Sequence, residues 1–233
     1  MNFQEIFTAE TFSLYLAGLW VTLELLVCSV GIGFFLSIPM AVARNARSGV
    51  ISKLVWLFTY VIRGTPLLLQ MYLIYFGLAQ FDAVRDSVAW SALSSPMFCA
   101  IAALTINNLA YTTEIFAGAI RSLPYGEIEA AHAYGMSRWT GLHRIILPAA
   151  LRASLPTYSS EVILMLHSTS LVSTITLFDL TGAANNVYST YYLPFEAFMA
   201  AAIVYMALTY ILVRGFRMLE RHYLAYLRPQ EAK

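Results

Sequence analysis

Five apolar runs, each long enough for a helix to cross a bilayer, decide what this chain can become. A helix needs about 20 consecutive apolar residues to span the hydrocarbon core. The runs extend from about Leu14 to Ala43, Leu54 to Ala79, Pro96 to Ile120, Leu155 to Leu177 and Phe195 to Val213. Inside lipid, every backbone N–H and C=O must be paired within its own segment, so such runs predict α-helices. The predicted fold class is an all-α integral membrane protein with five transmembrane helices. The links are too short to hold a soluble domain, so residues 1–233 are read as a single membrane domain. Charged residues make up 12% of the chain, against about 25% in soluble domains.

Several function classes fall away on the same reading. A net charge of +1 lacks the basic excess that nucleic-acid binding needs. Cys28 and Cys99 both lie in apolar runs, away from any metal-ligand spacing or disulfide framework. No phosphate-binding GxxxxGK[ST] loop is present, so nothing in this chain is expected to hydrolyse ATP. His132, His143, His167 and His222 form no HExxH, and no serine sits in a GxSxG elbow, so the chain is not read as an enzyme. The N-terminus carries Glu5 and Glu10 but no Lys or Arg, unlike a cleaved signal peptide, so the first run is expected to remain as a span.

Orientation follows from the basic residues. With five spans, one side receives Arg44, Arg47, Lys53, Arg121, Arg138, Arg144, Arg152, Arg214, Arg217, Arg221, Arg228 and Lys233. The other receives Arg85 with Glu5, Glu10, Asp82, Asp86, Asp179 and Glu196. By the positive-inside rule the N-terminus is outside and the C-terminus cytoplasmic.

Polar residues inside the runs mark candidate function. Arg63-Gly64-Thr65-Pro66 interrupts the second run, where Pro66 removes a helix hydrogen bond and a kink or break is expected. The break either lines a translocation path, with Thr65 exposed to it, or is a structural kink with Arg63 reaching the headgroups. Glu24, Glu114 and Glu161 lie in the first, third and fourth runs, where a carboxylate is costly unless it faces a cavity or a partner. The fourth run also holds Ser159, Ser160, His167, Ser168, Thr169, Ser170 and Ser173, too many polar groups for a helix facing lipid. It is expected to line a path whose carboxylates favour cationic solutes. Helix-to-helix hydrogen bonding is the competing reading for each of the three acids.

The stretch from Gly126 to Pro148 has no span and reads as two short amphipathic helices on the cytoplasmic side. Glu127 and Glu129 suit the opening turn of the first, and Gly135 stands where a C-terminal cap is expected. Ser137 can cap the second, whose Trp139, Leu142 and Ile145 share a face, and Pro148 is expected to stop it. Such a hairpin between spans predicts a docking surface for a soluble partner.

Glu129-Ala130-Ala131, Gly135, Ile145 and Leu147-Pro148 fill every position of a pattern that resembles the "EAA" loop of ABC importer permeases. RGTPLLLQMYLIYFG, AYTTEIFAGAIRSLPYGEIEAA and SLPTYSSEVILMLHSTSLVS extend the likeness over about residues 14–213, the expected transmembrane core with its loop at 126–148. The chain is similar to the polar amino acid uptake family, and His167 followed by Ser168-Thr169 resembles its histidine/lysine/arginine/ornithine "M"-type permeases. The resemblance implies the type I ABC importer permease fold and an inner-membrane subunit of an ATP-driven importer of basic amino acids. It implies cytoplasmic ATPase subunits, two of them, that bind ATP and Mg and dock on the loop. It also implies a periplasmic amino-acid-binding protein and a second permease subunit, paralogue or copy, with no cofactor bound by this chain. Glu161, Glu114, Glu24, Thr65, His167 and Ser170 are the candidate path residues. The competing class is an ion-coupled secondary transporter or channel for cationic solutes, although such folds usually carry internal repeats.

Overall fold

The computed structural model describes residues 8–46 and 48–224. Glu5, Arg47, Arg228 and Lys233, which enter the orientation argument, lie outside the described residues. Among the described residues the chain is helical and has no strand. Helix α1 (Ala9–Arg44) begins at Thr8, whose hydroxyl accepts the Thr11 N–H at 3.2 Å. Helix α2 (Gly49–Arg63) ends at the break, and α3 (Leu67–Tyr72) continues through a π-turn and a 3-10 turn to Gln80. Two single-turn helices, α4 (Asp82–Arg85) and α5 (Trp90–Leu93), lead to α6 (Pro96–Arg121). The hairpin follows as α7 (Tyr125–Ala133) and α8 (Arg138–Gly141), then α9 (Leu147–Ser168), α10 (Leu180–Tyr191) and α11 (Pro194–Tyr223).

Helices α1 and α11 are each long and apolar enough to cross a membrane alone, and two bent helix pairs are so when each is taken together. Gly49–Arg63 and Leu67–Gln80 meet at 98°, and Arg138–Ile175 meets Leu180–Tyr191 at 49°. Helix α6, at 26 residues, has the length of a span but carries Thr105, Asn107, Asn108, Thr112, Thr113 and Glu114. It tolerates them because it lies in the middle of the bundle rather than against lipid. Its main partner is α1, whose buried face is Gly18, Thr22, Leu25, Ser29, Gly33, Ser37 and Ala41 at helical spacing. Small residues there let two backbones approach closely, the usual route to helix packing where lipid removes the hydrophobic drive. A Cβ on Gly33 would overlap the Asn108 side chain, and one on Gly18 would stand 2.6 Å from the Asp179 carbonyl oxygen.

Three features depart from the sequence reading. Pro148 does not stop the second hairpin helix. Leu142–Ile146 forms a π-turn, with the Leu147 N–H bonded to the Leu142 carbonyl, and the chain runs on helically from Arg138 into α9. The wider turn makes room for a ring that would otherwise strike the preceding turn. The fourth helix thus begins well before Leu155 and includes the second half of the hairpin. Helix α10 lies where only a link was expected. Its N-cap is Asp179, which accepts the Gly182 and Thr181 N–H groups at 2.8 and 3.1 Å and the Tyr205 hydroxyl at 3.2 Å. Asp179 and Glu196, read as residues of outer links, are both buried.

Candidate functional site

The 98° corner between α2 and α3 opens a cleft of about 420 Å³ lined by Arg63, Thr65, Asn107, Tyr111, Glu161 and Ser168. Pro66 starts α3 with φ −62°, having no N–H to continue the helix before it. The Arg63 guanidinium lies over the Tyr111 ring, 5.1 Å from its centre, and the Tyr111 hydroxyl donates to the Arg63 carbonyl at 3.4 Å. Across the cleft Glu161 is only 6% exposed. Of the path candidates, Thr65 and Glu161 are thus brought together. A path favouring cations through its carboxylates alone was expected, but Arg63 shares the cleft with Glu161, so one basic and one acidic side chain line it. Asn107 and Tyr111 were missed, since neither stands out in an apolar run until the corner turns toward α6.

The other candidates lie elsewhere. Glu114 is engaged within the fold, with its Oε1 2.8 Å from Arg44 Nε and 2.8 Å from the Thr59 hydroxyl. Arg121 approaches its second oxygen at 3.8 Å. These contacts tie α6 to α1 and α2, as the helix-packing reading of Glu114 expected. Glu24 is exposed on the outer side of α1, away from the cleft. His167 and Ser170 line a separate hollow of about 490 Å³ between the end of α9 and α11, where His167 Nε2 lies 3.1 Å from the Thr209 hydroxyl.

The hairpin α7–α8 has the caps its residues call for. Gly135 takes φ +71°, the Met136 N–H reaches back to the Ala131 carbonyl at 3.1 Å, and the Tyr134 N–H bonds to Ala130 at 3.0 Å. That is a Schellman-type end, which favours glycine because its φ is positive. The Ser137 hydroxyl accepts the Thr140 N–H at 3.2 Å. Glu129, Ala130 and Gly135 are exposed, Ala131 is buried, and Ile145, Leu147 and Pro148 are half-buried where the hairpin joins α9. Ala131, Gly141 and Ile145 share a small hollow of about 100 Å³ inside the hairpin. Tyr134 and Trp139 stand out at 85% and 70% exposure, with the His143 ring packed edge-on against Trp139 at 4.1 Å.

Comparison with known proteins finds relatives over most of the chain. A family model described as "Binding-protein-dependent transport system inner membrane component" matches residues 33–224. The chain is 46% identical over 213 residues to the histidine/lysine/arginine/ornithine transport system permease protein HisM of Escherichia coli (strain K12), covering 91% of this chain and 90% of that one. It is 45% identical over 206 residues to the nopaline transport system permease protein NocM of Agrobacterium fabrum (strain C58 / ATCC 33970), covering 88% of this chain and 86% of that one. Among solved structures, one described as an amino acid ABC transporter with histidines aligns with a TM-score of 0.83 at 30% identity, covering 95% of this chain and 99% of its own.

Proposed function

The chain belongs to the family of binding-protein-dependent transport system inner membrane components, and from that premise we propose that it is a permease subunit of an ATP-driven importer of basic amino acids, with the Arg63–Glu161 cleft holding substrate in transit. One observation carries the reading: a cation and a carboxylate line one cleft of about 420 Å³ at a break in a span. A free amino acid carries both charges. The planar guanidinium of Arg63 matches its carboxylate, and Glu161 matches a cationic group. The names of relatives that carry histidine, lysine, arginine, ornithine and nopaline support a basic side chain.

ATP hydrolysis is assigned to two separate cytoplasmic ATPase subunits that hold ATP and Mg, with no cofactor on this chain. Their joint is the hairpin, through Glu129, Ala130, Ala131, Gly135, Ile145, Leu147 and Pro148. Its exposed Tyr134 and Trp139 support docking there. Glu24, Ser160 and His167 are exposed on helices that cross the membrane, where lipid contact is costly. Their exposure supports a second permease subunit, paralogue or copy, beside residues 14–213. A periplasmic amino-acid-binding protein delivers substrate at the outer face of the bacterial inner membrane, with the N-terminus outside and the C-terminus cytoplasmic.

The test is uptake of labelled lysine and arginine by the complete transporter in proteoliposomes loaded with ATP. Glu161→Gln and Arg63→Met each remove a charge-assisted contact worth about 1.5–3 kcal/mol, so KM should rise about tenfold or more. Unchanged KM in both variants would overturn the cleft. Uptake that runs without ATP and collapses with the proton gradient would overturn the importer and restore the ion-coupled alternative.

A further inference from the structure

A 98° corner inside a membrane span leaves carbonyls that no helix N–H can reach, and lipid offers no water to satisfy them. Side chains meet that need here, and Gln70 takes two of the carbonyls. Gln70 Nε2 lies 2.7 Å from the Ile62 carbonyl, 3.1 Å from the Thr65 carbonyl and 2.8 Å from the Thr65 hydroxyl. From α3, its two hydrogens are therefore shared among three acceptors, one in the last turn of α2 and two in the break. Gln70 Oε1 in turn accepts from Asn107 Nδ2 at 3.3 Å. The Thr65 hydroxyl lies 3.0 Å from the Val61 carbonyl and 3.2 Å from that of Ile62. One turn further along α6, the Tyr111 hydroxyl takes the Arg63 carbonyl. The corner is thus pinned to α6 at two points, and Gln70 supplies the buried one, at 8% exposure.

Gln70 is not among the residues lining the cleft, but each group it holds leads there. We propose that Gln70 is the positioning residue of the cleft: it fixes the corner's angle so that Arg63 and Thr65 face Glu161. The inference rests on the proposed function, because it assigns Gln70 a share of substrate affinity that reaches the substrate only through Arg63 and Thr65. Without the amide the corner has other ways to bend, and Arg63 loses its fixed distance from Glu161. Such a fault weakens the hold on substrate and leaves the ATP-driven cycle intact.

The experiment measures lysine uptake by the complete transporter in proteoliposomes for Gln70→Ala, Gln70→Glu and Gln70→Met, normalised to assembled complex, with Glu161→Gln beside them. Gln70→Met keeps the packing volume, and Gln70→Glu keeps an acceptor for Asn107 while losing both donated hydrogens. All three should raise KM about tenfold, as loss of a charge-assisted substrate contact would, with the maximal rate within about twofold of wild type. Wild-type KM in Gln70→Met would show that volume alone matters and would overturn the inference. So would uptake that falls only in proportion to assembled complex. If Glu161→Gln raises KM and the Gln70 variants do not, the positioning role fails while the cleft stands. If none raises KM, both fail together.

Discussion

Glu114 and Glu161 look alike as letters, a carboxylate in an apolar run with hydroxyl-bearing neighbours, yet they do different work. Glu114 is held by Arg44 and Thr59, so its loss should cost stability and leave substrate affinity alone. With the paired side chains 20% and 15% exposed, Glu114→Ala should remove about 1–3 kcal/mol, less than a fully buried pair. The readout is a lower melting temperature in detergent with KM for lysine unchanged. Gly135 offers a second residue-scale prediction. An added Cβ there meets nothing within 4 Å, so the constraint is its positive φ alone. Gly135→Asn, which tolerates that conformation, should keep uptake coupled to ATP hydrolysis. Gly135→Val should uncouple the two, seen as hydrolysis that continues while uptake falls. The cap at Gly135 was legible in the sequence because its signals are local. The partners of Glu114 were not, because Arg44 meets it across 70 positions of chain.

Among the elements, the fourth span carries the least expected design. Its π-turn at Leu142–Ile146 places one extra residue between the hairpin and the membrane, next to a proline that cannot donate. If Pro148→Ala lets that turn relax to ordinary α-helix, α8 rotates by about 100° relative to α9, since one residue is that fraction of a turn. Trp139 would then point away from its present face. The expected outcome is an intact, inserted chain whose ATP hydrolysis no longer drives uptake, measured as the ratio of transport to hydrolysis. A proline reads equally as a stop or as a tolerated bend, and only the turn before it decides. The break at Arg63–Pro66 was legible because a glycine two residues before a proline both loosens the turn and removes a donor. Its angle was not legible, because the partners that hold it, Asn107 and Tyr111, come from α6, far along the chain. Helix α10 escaped notice because LTGAANNVYSTY is too polar for a span, and its place between α1 and α11 depends on Gly18 and Asp179 meeting closely.

For the molecule as a whole, the asymmetry of charge was legible and the pairing of charges was not. Counting Lys and Arg on either side predicts a topology that reporter fusions can check. A phosphatase fused after the Asp82–Asp86 link should be active, and one fused after Tyr223 should be silent, while a cytoplasmic fluorophore behaves the other way round. The opposite pattern would reverse the orientation and with it the docking side of the hairpin. The cleft has a consequence at this scale too. Arg63 and Glu161 offer one basic and one acidic group, so under the proposed function a lysine or arginine that enters brings a surplus positive charge that the pair does not balance. Membrane voltage acts on that surplus, with about 2.3 kcal/mol of electrical work per elementary charge for each 100 mV crossed. With the cell interior negative, the voltage draws a basic amino acid toward the cytoplasm and leaves a neutral one unmoved. For a basic substrate that electrical work would add to the work of the nucleotide cycle, and for a neutral one the cycle would act alone.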